Sequence, residues 1–176
     1  MHYYDRIADL YSKLYGDEQK AKMEALIKHL EINKEDVVLD VGCGSGILFN
    51  FLGIKTDSII ALDISSNLLK KAKNASKRMM NVHLLRADAE FMPFRDEVFD
   101  LTFSITLIQN LPDPIKFLKE LLRISKKDSK GVITFLKHEF SPEKLNQIMK
   151  MSNFKYFLIQ TDDEIKDHIL LYHKKN

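Results

Sequence analysis

The segment VVLDVGCGSG, residues 37–46, joins a β-branched apolar run to a glycine-rich turn. The run Val37–Val41 predicts a buried β-strand, and a short helix is predicted after the turn, over Ile47–Leu52. Three of the six glycines of the chain fall in this turn: Gly42, Gly44 and Gly46. Glycine is needed where the backbone takes a positive φ or where a ligand lies against the main chain. A strand, a glycine turn and a helix N-terminus in this order predict a binding site for an anionic or polar ligand.

The spacing of these glycines separates the ligand classes that use such turns. A nucleoside-triphosphate loop requires G-x-x-x-x-G-K-[ST], and no Gly-Lys pair follows here. The dinucleotide fingerprint G-x-G-x-x-G/A fails in both registers, because Ile47 or Phe49 stands at its third site. The pattern that remains is D-x-G-x-G-x-G, led by Asp40. An acidic residue in front of the loop repels a pyrophosphate and suits a cationic ligand that carries an amino group.

Composition and charge limit the class of protein. The chain has 176 residues, 45% hydrophobic and 30% charged, which is enough apolar material for one folded domain over residues 1–176. Its 27 Lys and Arg nearly balance its 25 Asp and Glu, so the charge neither requires nor excludes a nucleic-acid partner. One cysteine, Cys43, excludes an internal disulfide and a multi-cysteine zinc site. With no signal peptide, no apolar run of the roughly 20 residues that a bilayer requires and no metal-ligand spacing of histidines, we expect a cytoplasmic protein without metal.

Strand-like and helix-like segments alternate along the chain. The strand-like runs are Val37–Val41, Ser58–Ile64, Val82–Ala87, Phe99–Ile105, Val132–Lys137, Phe154–Gln160 and Ile169–His173. Helix caps are indicated at Ser66, at Asp113 before a proline and at Ser141 before a proline. This alternation predicts an α/β fold with a mostly parallel sheet and helices on both faces. The last two runs are too close for a crossover helix, so we expect an antiparallel hairpin at one end of the sheet.

The glycine turn and the segments after it resemble a known family. VLDVGCGSG is similar to the first motif of class I S-adenosylmethionine-dependent methyltransferases, and ALDIS, RADAE, FMPFRDEVFD and PDPIKFLKELLRISKKDSKG follow at the intervals of that family. The resemblance covers about residues 35–137 and is strongest to the small enzymes of ubiquinone and menaquinone biosynthesis. It implies a Rossmann-like seven-stranded sheet and S-adenosylmethionine as the cofactor, bound across the carboxyl ends of the first three strands.

The resemblance also implies which residues contact the cofactor. Asp40 and the glycine turn face the methionine end, Asp63 binds both ribose hydroxyls, and Asp88 with Ala89 flanks the adenine. A carboxylate offers two acceptor oxygens to a cis-diol, although Asp63 could instead be a plain helix cap and Asp88 a solvated strand end. The expected cofactor-binding residues are Tyr11, Asp40, Gly42, Cys43, Gly44, Gly46, Asp63, Ile64, Asp88, Ala89 and Ile105.

The loop after the fourth strand bears on the methyl acceptor. Family members that methylate exocyclic amines or glutamine amides end this strand in Asn/Asp-Pro-Pro-Tyr/Phe, whereas this chain has Ile105 followed by Thr and Leu. The departure argues against an amine acceptor. Asn110 is the nearest polar side chain on the substrate side, and His138 lies just past the fifth strand; Asn110 could instead be a turn cap and His138 a plain loop histidine. Because a sulfonium is already a good leaving group, methyl transfer requires no acid–base pair, and the catalytic residues stay unassigned.

The N-terminal residues 1–32 are expected to form a helical lid over a core of residues 35–176. In the first predicted helix, over residues 2–14, Tyr4 and Tyr11 lie on the seam between its apolar and polar faces, where tyrosines can cover a ligand or simply dock the helix. Lysines at positions 126, 127 and 130 are expected in a turn. Two functions follow: a methyltransferase acting on a small molecule, a tRNA or a protein, or a cofactor-binding subunit that works with a small activating protein partner.

Overall fold

The computed structural model describes residues 16–161 and 165–175, which form a seven-stranded sheet between two layers of helices. The strands are β1 (Val37–Val41), β2 (Ser58–Asp63), β3 (Val82–Arg86), β4 (Phe99–Ser104), β5 (Ser125–Leu136), β6 (Tyr156–Ile159) and β7 (Asp167–His173). The helices are α1 (Gly16–Ile27), α2 (Phe49–Leu52), α3 (Ser66–Ala75), α4 (Pro114–Ile124) and α5 (Pro142–Met151). A 3-10 turn, Ile108–Asn110, follows β4. The helix predicted over residues 2–14 lies outside the described residues.

The sheet has the predicted mixed topology, with strands in the order β3-β2-β1-β4-β5-β7-β6. The first five strands in this order, β3, β2, β1, β4 and β5, run parallel to one another. Strand β7 runs antiparallel to both β5 and β6. The chain runs outward from β1 to β3 on one side and then returns to continue from β4 on the other. This reversal opens a crevice at the carboxyl ends of β1 and β4, where ligands bind in open α/β sheets.

Capping signals begin α4 and α5 where they were predicted, whereas α2 begins at Phe49, two residues later than predicted. Asp113 caps α4 by accepting hydrogen bonds from two backbone N–H groups of its first turn, and Ser141 caps α5 by accepting from Lys144 N. Helix α3 begins one residue earlier than predicted, because Ser65 rather than Ser66 is the cap and accepts from Leu68 N. These caps satisfy N–H groups that have no partner within the helix.

Central strands bury both of their faces, which explains why they read as continuous apolar runs. On β1, the fully buried Leu39 packs in one cluster with Phe117 of α4, while its neighbour Val38 packs in the other cluster with Leu26 of α1. Successive side chains of a strand point to opposite faces. The two helical layers therefore each have their own apolar core against the sheet.

Strand β5 differs from its prediction, because it begins at Ser125 rather than at Val132. The lysines at 126, 127 and 130, expected in a turn, lie inside this strand. Its first part is irregular: Phe99 pairs with Ser125 and Leu101 already pairs with Lys130. Lys126 forms an ion pair with Asp100, with 2.8 Å between Nζ and Oδ2. Because its composition is polar, this segment was not predicted as a strand. Its extended conformation comes from pairing with the neighbouring strands rather than from its own propensity.

Candidate functional site

A cavity of about 480 Å³ opens at the carboxyl ends of the central strands. Its lining comes from α1, the glycine turn, the ends of β2 and β3, and the loop after β4. Nine of the eleven expected cofactor-binding residues line it: Asp40, Gly42, Cys43, Gly44, Asp63, Ile64, Asp88, Ala89 and Ile105. Of the other two, Tyr11 lies outside the described residues and Gly46 is not part of the lining. The cavity size is in the range of roughly 300–1,000 Å³ that is typical of small-molecule sites.

The glycine turn has the left-handed backbone that its sequence predicted. Gly42, Gly44 and Gly46 have φ angles of 75°, 56° and 86°. At Gly44 a Cβ atom would meet nothing within 4 Å, so this backbone faces open space in the cavity. At Gly46 a Cβ atom would lie 2.3 Å from the ring of Phe49. Gly44 is therefore placed to face a ligand, and Gly46 instead allows α2 to pack closely against the turn.

The carboxylate of Asp63 is held in a fixed orientation at the end of β2. Its Oδ2 accepts a hydrogen bond from Gly44 N at 2.9 Å, and its Oδ1 accepts one from Ser65 N at 2.8 Å. The cap of α3 is Ser65, and Asp63 contributes to the same helix start by accepting from the N–H of Ser65. Since each carboxylate oxygen has two lone pairs, Asp63 can still accept from a diol in the cavity.

Asp40 lies at the base of the cavity and is only 3% exposed. Burial, and then the nearby charge of Asp63, raise the pKa of Asp40 to about 8. The same burial, together with these two acids, raises the pKa of the Cys43 thiol far above its usual value, so Cys43 stays protonated and unreactive. A cation placed beside Asp40 would favour its carboxylate form. The base of the cavity is thus suited to a ligand with an ammonium group.

The wall beyond β3 combines an acid with apolar surface. Asp88 Oδ1 accepts a hydrogen bond from Glu90 N at 2.9 Å, which fixes the turn that carries Asp88 and Ala89. Ala89 is buried, and Ile64 on the facing strand end is 46% exposed at the rim. A flat heterocycle fits between such apolar surfaces, with polar atoms at its edge meeting the turn.

The loop after β4 forms the opposite wall. Thr106 has a φ of 55°, and its carbonyl oxygen accepts hydrogen bonds from Gln109 Nε2 at 2.6 Å and Asn110 Nδ2 at 3.3 Å. Leu107 lies against the glycine turn, because a Cβ atom on Gly42 would be 2.9 Å from its Cδ1. The loop after β4 was expected on the acceptor side, but neither Met23 of α1 nor the left-handed backbone of Thr106 was expected there. A β-branched residue at positive φ cannot be foreseen from propensity.

His138 does not reach this wall, which agrees with its interpretation as a plain loop histidine. It does not belong to the cavity lining, and its side chain is 68% exposed, with Nε2 3.6 Å from Glu139 Oε1. The end of β5 therefore carries this side chain away from the crevice. Asn110 does line the cavity, and its side-chain amide also donates a hydrogen bond to the carbonyl oxygen of Thr106 within the turn.

Within residues 16–161 and 165–175, the acidic, histidine and cysteine side chains form no group of three or more that could hold a metal ion. In the same part of the chain, no helix has the length and apolar character that crossing a bilayer requires.

Comparisons with known proteins agree with this geometry. A family model described as a methyltransferase domain matches residues 39–133. The malonyl-[acyl-carrier protein] O-methyltransferase of Marinomonas sp. (strain MWYL1) is 37% identical over 145 residues, which are 80% of this chain and 52% of that protein. The demethylmenaquinone methyltransferase of Staphylococcus carnosus is 31% identical over 127 residues, 70% of this chain and 51% of that protein. The chain thus spans about half the length of these curated relatives.

A solved structure has the same fold. A SAM-dependent methyltransferase from Aquifex aeolicus superposes with a TM-score of 0.73 at 21% identity, covering 86% of this chain and 87% of that one. Together with the family match, this supports S-adenosylmethionine as the cofactor. The predicted Rossmann-like sheet and the resemblance to S-adenosylmethionine-dependent methyltransferases are both confirmed. The chain belongs to the methyltransferase domain family.

Proposed function

We propose that this protein transfers a methyl group from S-adenosylmethionine to an uncharged acceptor. The observation that carries the proposal is the pair of acids at adjacent strand ends, Asp40 and Asp63, with the open backbone of Gly44 between them. S-adenosylmethionine supplies an electrophilic methyl group on a sulfonium when it is bound. The chain itself has to hold the cofactor by its polar ends, exclude water and present the acceptor in line with the methyl group.

Each acid suits a different part of the cofactor. Asp40 is buried beside the glycine turn, where its carboxylate would accept hydrogen bonds from the ammonium of the methionine end. Asp63 is oriented by two backbone N–H groups and would accept from the ribose hydroxyls. Asp88 and Ala89 would take the adenine at the rim. The donor set of the cavity therefore fits the cationic and hydroxyl-bearing groups of this cofactor.

The acceptor side supports a narrower substrate class. Ile105 offers no side-chain amide, and the carbonyl oxygen of Thr106 already accepts from two side-chain amides, so neither of these two residues offers a free acceptor to a planar amine. Lys, Arg and His are absent from the cavity lining that the structure describes. An anionic acceptor would have no counter-charge in that lining. Oxygen or carbon nucleophiles on an uncharged, mainly apolar molecule fit this wall best.

Proton removal by the protein has little support in the described lining. Asn110 carries an amide that does not act as a base near neutral pH, and His138 lies outside the cavity. The carboxylates present face the positions assigned to the cofactor. An acceptor whose O–H or C–H is itself acidic requires the least help from the protein.

Transfer of labelled methyl groups tests the proposal. The protein is incubated with methyl-labelled S-adenosylmethionine and four acceptor pools: apolar phenols and enols, carboxylic acids, aromatic amines, and tRNA. We expect label in the first pool. Label in the amine or carboxylate pool alone would contradict the acceptor class, and absence of cofactor binding in calorimetry would contradict the function itself.

The alternative, a cofactor-binding subunit that depends on a small activating protein, stays a prediction. It shares the cofactor site and differs only in the transfer step. Cofactor binding without label in any pool, followed by label after addition of a host-cell extract, would favour it.

A further inference from the structure

A buried ion pair lies behind the acceptor wall, outside the cofactor motifs. Lys22 of α1 and Asp167 at the start of β7 pair through Nζ and Oδ2, and both side chains are 0% exposed. Two charges in an apolar interior are costly to desolvate unless they are well paired and hydrogen-bonded. The position of this pair therefore requires an explanation.

Both charged groups contact the same residue of the acceptor wall. Lys22 Nζ donates a hydrogen bond to Thr106 Oγ1 at 3.0 Å, and this hydroxyl lies 3.5 Å from Asp167 Oδ1, to which it donates. The backbone N–H of Thr106 donates to Thr134 Oγ1 of β5 at 2.8 Å. Groups from α1, β5 and β7 thus converge on one residue.

Thr106 is held in a conformation that it does not favour. Its φ of 55° is left-handed, a region that β-branched residues avoid. Strained backbone of this kind persists where the surrounding structure over-determines it, and it occurs preferentially at functional sites. Here the hydrogen bonds that converge on Thr106 are the contacts that keep its backbone in this conformation.

The conformation of Thr106 decides where its neighbours point. Ile105 and Leu107, on either side of it, both line the cavity. Leu107 is in close contact with Gly42 of the cofactor turn. A change of φ at position 106 would turn Leu107 away and reshape the acceptor wall next to the cofactor.

We infer that Lys22 and Asp167 are positioning residues that hold Thr106 left-handed and so fix the acceptor wall. The inference rests on the proposed function for its consequence in methyl transfer, but the holding itself can be measured without any ligand. The ion pair acts through Thr106 and touches neither cofactor nor acceptor.

The test compares amide hydrogen exchange in the loop with exchange in the core. The main variant is Lys22→Met/Asp167→Leu, which removes both charges together and leaves no unpaired buried charge. We expect exchange in residues 105–111 of the ligand-free protein to become at least tenfold faster, with exchange in 132–136 unchanged. Thr106→Val should have the same effect, its combination with the double variant should add nothing, and Thr106→Ser should stay within threefold of the wild type.

A matched control is Lys126→Met, which removes the cation of a partly exposed ion pair at the amino ends of β4 and β5. It should leave loop exchange unchanged. Unchanged exchange in 105–111 of the folded double variant, or an equal increase in 132–136, would overturn the inference. With an acceptor from the labelling screen, the double variant should raise the acceptor KM at least fivefold. If the wild type does not bind S-adenosylhomocysteine, the proposed function is contradicted, whereas the role of Lys22 and Asp167 in holding Thr106 is not.

Discussion

The two walls of the cavity differ in the kind of side chain that they present to a ligand. The wall from β1 to β3 presents the side chains of Asp40, Asp63 and Asp88 to the cavity. The wall after β4 presents mainly apolar side chains, with Asn110 among them, and the charges behind it, Lys22 and Asp167, neutralise each other out of reach of solvent. The first wall is prepared for a ligand with positive and hydroxyl groups. The second uses its charges only to hold its own shape, which leaves it suited to an uncharged partner.

The largest effect is expected from the ribose acid. Asp63→Ala should weaken S-adenosylmethionine binding by roughly 2–4 kcal/mol, since two charge-assisted hydrogen bonds are lost and water compensates in part. That corresponds to about 30- to 1,000-fold in Kd. Isothermal titration calorimetry measures it, with Asp57→Ala, an exposed acid just before β2, as the matched control. If NADH bound as tightly as S-adenosylmethionine or more tightly, the assignment of the acidic wall to S-adenosylmethionine would be wrong.

A comparable effect should appear with pH at Asp40. With a pKa of about 8 in the free protein, Asp40 must lose a proton before it can pair with an ammonium. The affinity for S-adenosylhomocysteine should therefore increase between pH 6 and 8, approaching tenfold per pH unit. Calorimetry across this range measures it, and Asp40→Asn should bind weakly with no such dependence. A flat wild-type profile would contradict an ionised Asp40 in the complex.

Stability should change in the opposite direction with pH. The folded protein keeps the Asp40 proton up to about pH 8, whereas the unfolded chain loses it near 3.8. The folded state then binds more protons, so the free energy of unfolding falls as pH rises between these values, by up to about 1.4 kcal/mol per unit. The melting temperature of the free wild type should fall from pH 6 to 8 more steeply than that of Asp40→Asn. Parallel curves would show that Asp40 does not titrate in this range.

Two glycines of the turn should differ in what their substitution impairs, Gly46 in stability and Gly44 in cofactor binding. Gly46→Ala places a methyl group on Phe49 at a φ of 86° and should cost roughly 2–4 kcal/mol of stability. Gly44→Ala meets open space and should cost only about 1 kcal/mol of stability, while it weakens cofactor binding. Thermal melts and calorimetry on both variants measure this crossing of effects. Equal losses of stability would show that both glycines serve packing.

The smallest effect concerns Tyr11, the predicted lid residue, which lies outside the described residues. Tyr11→Ala should weaken cofactor binding by about 1 kcal/mol, the usual contribution of an aromatic contact, and leave the melting temperature of the free protein nearly unchanged. Hydrogen exchange in residues 2–15 should slow when S-adenosylmethionine is added, more than in 132–136. A lower melting temperature with unchanged affinity would make the tyrosine a docking residue.

The difference between the walls also decides how far each could be predicted. The cofactor wall consists of short-range motifs: the glycine turn, the acid that ends β2 and the helix caps are all specified within a few residues. The acceptor wall depends on Lys22, which meets Thr106 across 84 positions of sequence. On the sequence Lys22 looks like any helix lysine, and its burial follows only from the tertiary arrangement. The start of β5 escaped prediction for the same reason, because partner strands rather than local propensity make it extended.

The place of β7 in the sheet has a consequence for how the protein is made. β7 follows every other strand in the sequence yet lies between β5 and β6. During synthesis, which proceeds from the N-terminus, the segment of β5 is made before its final neighbour β7. Until then β5 presents an unpaired edge, which is a hazard for association between nascent chains. The strand that ends this exposure begins with Asp167, so the acceptor wall becomes complete only when the sheet does.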